Sequence, residues 1–216
     1  MTDTLLVLLV LTNFMFFVAS RLAARIRLTA IQGILVGLLT LLLQTSGLTL
    51  RTWLLAAGSA AIKAGVFPWL LDRAIRETNV RRTVEPFVGY TPSLLIGALL
   101  LGVSFWLGER LPLPATHIDT LAVPVALFSI LSGLFLITSR KTALAQVLGY
   151  LVLENGIFTF GIALAQDQPL LVELGVTLDL LVGVFVMGIT IFHISREFDH
   201  IDVGQMSALK DTEPES

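Results

Sequence analysis

The sequence predicts an all-α, polytopic membrane protein with seven transmembrane helices, its N-terminus outside the cell and its C-terminus in the cytoplasm. Three features of the chain predict this. Of its 216 residues, 55% are hydrophobic and only 14% are charged, and the mean hydropathy is +0.87. A soluble domain of this size cannot bury so much apolar surface in one hydrophobic core. The apolar residues also form seven separate runs, and the basic residues gather between alternate runs.

Each apolar run has about the 20 residues that a helix needs to span a bilayer. The breaks between runs contain Gly, Pro and polar residues, and most are short, so neighbouring helices are expected to be antiparallel. The predicted spans cover residues 4–20, 29–50, 53–71, 87–107, 120–138, 143–165 and 170–194. We divide the chain into four N-terminal helices with cytoplasmic basic loops (1–118), a three-helix unit (119–195) and a cytoplasmic tail (196–216).

The placement of Lys and Arg predicts the orientation, because these residues are retained on the cytoplasmic side of a membrane. Eleven of the fourteen fall on one face of the predicted bundle: Arg21, Arg25, Arg27, Arg73, Arg76, Arg81, Arg82, Arg140, Lys141, Arg196 and Lys210. The opposite face receives Arg51 and Arg110, and Lys63 lies inside the third span. An odd number of helices with this asymmetry places the N-terminus outside.

Four ionisable residues lie within the predicted spans: Lys63, Glu154, Glu173 and Asp179. An acid at the centre of a span costs roughly 2.5 to 3.5 kcal/mol on insertion scales, so its presence suggests a function. At 1.5 Å rise per residue, all of them except Glu173 lie near one plane in the middle of the membrane. Glu173 is close to the outer boundary. His193 ends the seventh span, where it is either a proton entry point or simply a cap for the helix dipole.

We expect Lys63 to pair with Glu154 or Asp179, because uncompensated charges at this depth are too costly. The acid that does not pair with Lys63 would then stay protonated part of the time because it is buried, and it could act as a proton carrier. The alternative is a fixed ion pair that only specifies helix packing.

Several other residues in the spans have expected structural roles. Asn13 and Gln146 are expected to form hydrogen bonds between helices, and Gly149 and Gly156 to allow close helix contacts. Pro68 is expected to kink the helix that carries Lys63.

The sequence excludes several kinds of chemistry. It has no Cys, and its three His are too scattered to bind a metal. No nucleophile constellation or phosphate-binding loop is present, so we expect no catalytic residue and no enzyme activity in the chain alone. The near-neutral charge of -2, without a basic block, predicts no binding to nucleic acid. The chain is expected to be a component of a larger membrane assembly.

The motifs in these spans resemble the membrane component E of hydrogenase-4-type complexes, which belong to the membrane-bound hydrogenases related to respiratory complex I. The resemblance rests on the string Gly149–Gly156, on Val172–Asp179, on Lys63 followed by Pro68, and on the tail segment Ile201–Lys210. These segments span nearly the whole chain.

The last three predicted helices also resemble the small K subunit of complex I and the C subunit of multisubunit sodium/proton antiporters. Pro169, Leu170 and Thr177 fit the pattern of those proteins. Leu151 departs from it, because it stands where the K subunit usually has its glutamate. Glu154 follows one helical turn later, on nearly the same face.

The resemblance implies an accessory, non-catalytic subunit in the cytoplasmic (inner) membrane of a bacterium or archaeon. Nickel–iron and iron–sulfur centres are expected on partner subunits of a formate hydrogenlyase-type complex, and none in this chain. The implied partners are antiporter-like and anchoring membrane subunits, the cytoplasmic hydrogenase arm and the lipid bilayer. Lys63, Glu154 and Asp179 would contribute to the proton or ion path. A purely structural scaffold and a subunit of a cation/proton antiporter remain the alternatives.

Overall fold

The structure, a computed structural model, describes residues 1–43, 57–58, 61–77, 87–111, 121–140 and 142–164. Within these residues every regular element is a helix, as the sequence predicts. The elements are α1 (Thr2–Val18), α2 (Leu22–Leu43), a π-helical segment (Ile62–Val66) that leads into α3 (Phe67–Glu77), α4 (Tyr90–Arg110), α5 (Ala122–Ser139) and α6 (Ala143–Leu164). The seventh predicted span, with Glu173, Asp179 and His193, and the tail lie outside the described residues.

Four of the described helices are long and apolar enough to cross a membrane: α2, α4, α5 and α6. The apolar helix α1 is slightly shorter, with 17 residues. Helix α4 exposes large apolar side chains such as Leu95, Leu99 and Trp106, which suits a surface in contact with lipid. Helices long and apolar enough to cross a membrane are therefore confirmed for this part of the chain, whereas the total of seven spans and the orientation of the termini remain predictions.

Helix α5 packs against α6 at very short range, and glycines make this possible. A Cβ atom added to Gly133 would lie 2.6 Å from the Cα of Leu153, and one added to Gly156 would lie 2.6 Å from the backbone nitrogen of Ile130. A Cβ atom added to Gly149 would lie 2.9 Å from the backbone nitrogen of Ile137. The predicted roles of Gly149 and Gly156 in close packing are confirmed, and the contact fixes α6 against its neighbour.

The helix that carries Lys63 changes from π-helical to α-helical geometry next to Pro68. Residues Ile62–Val66 form a π-helical segment, and α3 begins at Phe67. Proline has no backbone N–H to donate, so the regular ladder of hydrogen bonds cannot pass through it. The change of helix type thus lies next to Pro68, and the predicted kink itself stays a prediction. Gly33 of α2 packs on this segment, since a Cβ atom there would lie 2.8 Å from the Cβ of Lys63.

Helix α2 begins at Leu22, seven residues earlier than the sequence predicts. Arg25 and Arg27, which precede the predicted second span, therefore lie within α2, and Arg25 is fully buried. Its Nε donates a hydrogen bond to the carbonyl of Ala19 at 2.9 Å, just past the end of α1. The last carbonyls of a helix lack partners within the helix, so a buried cation is favourable here.

Arg140, which follows α5, is also fully buried and caps the same end of α1. Its Nη2 donates to the carbonyl of Phe17 at 3.3 Å, and burial lowers its pKa below the ordinary value. One guanidinium nitrogen of Arg25 and two of Arg140 find no hydrogen-bond acceptor among the described residues. The C-terminal ends of α1 and α5 thus meet at one end of the bundle, as expected for alternating antiparallel helices.

The predicted orientation is tested by cysteine labelling, because the natural chain contains no cysteine. Single cysteines at positions 78 and 205 should react with a membrane-impermeant reagent from the cytoplasm, and those at positions 2 and 116 from outside. The physical reason is the asymmetry of eleven basic residues against two. Labelling of positions 78 and 116 from the same side would contradict the topology, because α4 lies between them.

Candidate functional site

Helix α6 places a carboxylate near the middle of a membrane-length helix. Glu154 has only 1% of its surface exposed. It is followed directly by buried Asn155 and, one turn later, by buried Phe158. The surrounding residues of α6 are apolar, among them Leu151 and Val152. The helix therefore presents one acidic and one amide side chain in a buried region of apolar neighbours.

Lys63 enters this region from the π-helical segment, and 4% of its surface is exposed. Its Nζ lies 2.9 Å from Oε1 of Glu154 and donates a hydrogen bond to Oδ1 of Asn155 at 3.3 Å. The same nitrogen lies 4.7 Å from the centre of the Phe158 ring. A carboxylate, an amide oxygen and an aromatic face all stabilise an ammonium group. The predicted pairing of Lys63 with Glu154 is confirmed, whereas Asp179, the other predicted partner, lies outside the described residues.

A chain of buried polar side chains continues from the ion pair across the bundle. Nδ2 of Asn155 donates to Oε1 of Gln32 at 3.5 Å, and Nε2 of Gln32 donates to Oδ1 of Asn13 at 2.8 Å. Gln32 also donates to the hydroxyl of Thr12 at 3.1 Å, and Asn13 donates to the hydroxyl of Ser129 at 2.8 Å. The polar site thus joins α1, α2, α5 and α6 to the π-helical segment.

The sequence alone did not assign Gln32, Asn155 or Phe158 to the site. A signal was present, since Gln32 and Asn155 are isolated amides within long apolar runs and such residues in membrane helices tend to face other helices. The predicted interhelical role of Asn13 is confirmed. The same prediction for Gln146 is wrong, because its Nε2 donates locally to the carbonyl of Arg140 at 3.1 Å.

The arrangement has a limited range of chemistry. Glu154 can take up or release one proton at a carboxylate oxygen, and the ammonium group of Lys63 is its hydrogen-bond donor and ion-pair partner. Amide side chains donate and accept hydrogen bonds but do not titrate, so the polar chain orients groups and does not carry protons itself. Within the described ranges no three His, Asp or Glu side chains lie together as possible metal ligands.

The chain is similar to several known proteins over most of its length. Uncharacterized protein Rv0085 of Mycobacterium tuberculosis is 37% identical over 161 residues, which cover 73% of both chains. Hydrogenase-4 component E of Escherichia coli and that of Shigella flexneri are each 29% identical over 157 residues, or 72% of both chains. No protein-family model and no solved structure matches the chain.

These similarities extend well beyond a single motif, because they cover nearly three quarters of this chain and of each relative. The family expected from the motifs around Glu154 and Lys63 is confirmed, whereas the likeness of the last three predicted helices to the K subunit of complex I remains a prediction. The chain belongs to one family with protein Rv0085, and the hydrogenase-4 component E proteins are its homologues.

Proposed function

We propose that this chain is a non-catalytic membrane subunit of a hydrogenase-4-type complex and that it contributes to the path of protons or other cations through the membrane. The observation that carries the proposal is the ion pair between Lys63 and Glu154, at 2.9 Å and almost without solvent exposure. Ionisable groups at this depth are costly and characteristic of ion pathways. The family and the membrane-length helices support membership of such a complex.

In this proposal Glu154 is the group that changes its protonation state. A proton that binds to its carboxylate removes the negative charge and weakens the contact with Lys63. Release of the proton restores the ion pair. The energy difference between these states depends on burial and on the neighbouring charge, which is how proteins tune proton acceptors. Asp179, in the seventh predicted span, is the expected second acid of the path.

The partners follow from the same proposal. Antiporter-like and anchoring membrane subunits would continue the path, and a cytoplasmic hydrogenase arm would hold the nickel–iron and iron–sulfur centres. We place the complex, of the formate hydrogenlyase type, in the cytoplasmic membrane of a bacterium or archaeon.

The Glu154→Gln variant tests the relay role, because glutamine retains the shape and hydrogen bonding but cannot carry a proton. We expect the complex to assemble while ion translocation falls by on the order of 10²-fold, as for loss of a proton-transfer group. Glu154→Asp should retain part of the activity. The measurement is hydrogen metabolism and ion uptake in membrane vesicles that contain the assembled complex.

The matched control is Glu109→Gln, which removes an exposed carboxylate from α4 and should leave translocation unchanged. Normal ion-coupled activity in a well-assembled Glu154→Gln complex would reject the relay role of this residue.

A scaffold role is the second candidate, and the polar chain through Asn155, Gln32 and Asn13 is the observation that favours it. Buried polar contacts between helices can specify one packing arrangement. If the ion pair serves only packing, Glu154→Gln should impair assembly by leaving Lys63 without its carboxylate, and Lys63→Met in the same chain should restore it. Co-purification of the subunits distinguishes this result from the loss of translocation alone.

A further inference from the structure

The side chains of Asn13, Gln32 and Asn155 form a chain of hydrogen bonds, here called the amide chain. Two hydroxyl groups determine which end of each amide donates and which accepts. Ser129 donates its single proton to the carbonyl of Val125 at 3.0 Å, and Thr12 donates its proton to the carbonyl of Leu9 at 2.8 Å. A hydroxyl has one proton to donate. Both hydroxyls can therefore only accept hydrogen bonds from the amide side chains that face them.

The orientation of each amide then follows from its neighbour. Asn13 must turn its NH₂ group toward Ser129, so its oxygen faces Gln32. Gln32 must turn its NH₂ group toward that oxygen and toward Thr12, so its own oxygen faces Asn155. Asn155 must therefore donate to Gln32 and present its oxygen to Lys63. Reversing any one amide would place two donors or two acceptors face to face.

The direction of the chain favours a cation at Lys63. Each amide oxygen accepts from the neighbour on its Lys63 side, and the Asn155 oxygen accepts from the ammonium group itself; hydrogen bonds in such a chain polarise one another. The Phe158 ring adds a second favourable contact that does not involve Glu154. Neither the amide oxygen nor the aromatic ring depends on the charge of Glu154 for its own attraction to the ammonium group.

We propose that Gln32, Asn13 and Asn155 are positioning residues that keep Lys63 as an ammonium group when Glu154 takes up a proton. This inference rests on the proposed relay role of Glu154 and assigns the two members of the ion pair different tasks. Glu154 changes its charge during transport, and Lys63 is the fixed cation that returns it to the ionised state. The amide chain supplies the support that the neutral acid no longer gives.

The test compares Gln32→Met in three backgrounds of the full-length chain: the natural chain, Glu154→Gln, which resembles the protonated state, and Lys63→Met, which has no ammonium group. The measurement is the temperature at which half of the detergent-solubilised protein leaves the monodisperse size-exclusion peak. Gln32→Met should lower this temperature most in the Glu154→Gln background and least in the Lys63→Met background. We expect the decrease in the Glu154→Gln background to exceed that in the Lys63→Met background by roughly 3 °C or more.

The control is Thr40→Val, at a buried position of the same helix where, within the described part of the chain, the hydroxyl bonds only to the carbonyl of Val36. Its effect should be the same in all three backgrounds. If the Gln32→Met/Glu154→Gln chain yields no folded protein, Asn13→Ala is measured in the same way. Equal losses in the three backgrounds would show a packing role and overturn the inference.

The result is separable from the test of function, because it depends on stability and not on ion transport. If Gln32→Met lowers the midpoint temperature unequally but transport is normal in Glu154→Gln, the role of Lys63 as a fixed cation is supported and the relay role of Glu154 is rejected. If Gln32→Met lowers the midpoint temperature equally in all backgrounds and transport is impaired in Glu154→Gln, the relay role of Glu154 is supported and the role of the amide chain is rejected.

Discussion

Lys63→Met is expected to destabilise the chain by roughly 3 to 5 kcal/mol, because it leaves the Glu154 carboxylate buried without its cation. Both residues are at most 4% exposed, so water cannot replace the lost partner. The midpoint of thermal unfolding in detergent should fall by about 10 °C for a protein of this size. An unchanged midpoint would contradict a stabilising ion pair.

The double variant Lys63→Met with Glu154→Gln should regain most of the lost stability, since removal of both members of a buried pair is often tolerated. Arg73→Met is the matched control, because Arg73 is an exposed cation on α3. It should change stability by no more than about 0.5 kcal/mol. If the double variant is as unstable as Lys63→Met, the loss of stability comes from lost packing of the lysine side chain and not from the unpaired charge of Glu154.

Gly133→Ala is expected to produce the second large effect, because it inserts a methyl group where α5 touches the backbone of α6. The added carbon would lie 2.6 Å from the Cα of Leu153, and a backbone atom cannot move aside as a flexible side chain can. The helices must separate, at a cost of about 1 to 3 kcal/mol or more. Glu154 follows Leu153 directly, so the ion pair should lengthen and ion translocation should fall with stability.

Gly102→Ala is the control for this experiment, because it makes the same change at a position of α4 where an added Cβ atom meets no other described residue within 4 Å. Alanine is the better helix former by about 1 kcal/mol, so stability should be equal or higher. Thermal unfolding and vesicle transport measured on both variants separate the effect of the close contact from that of helix propensity. Equal behaviour of the two variants would refute the close approach of α5 and α6.

The helical spans of this protein are determined by the local sequence. Long apolar runs, interrupted by Gly, Pro and polar residues, predict membrane helices because backbone hydrogen bonds must be satisfied within each segment in lipid. The same logic identified Glu154 and Lys63, since a charge within an apolar run is conspicuous in the sequence. Helix ends were less accurate: basic residues do not end a helix, and α2 starts before Arg25.

The partners of each polar side chain were decided only by the tertiary structure. Periodicity along one helix does not specify which helix lies opposite, so Lys63 had two possible acids, and the roles of Asn155 and Gln32 were not assigned. The glycine contacts between α5 and α6, and that of Gly33 with the π-helical segment, set the distances between backbones. Those distances bring Lys63 to Glu154 and align the amides, because hydrogen bonds and ion pairs require contact within about 3 Å.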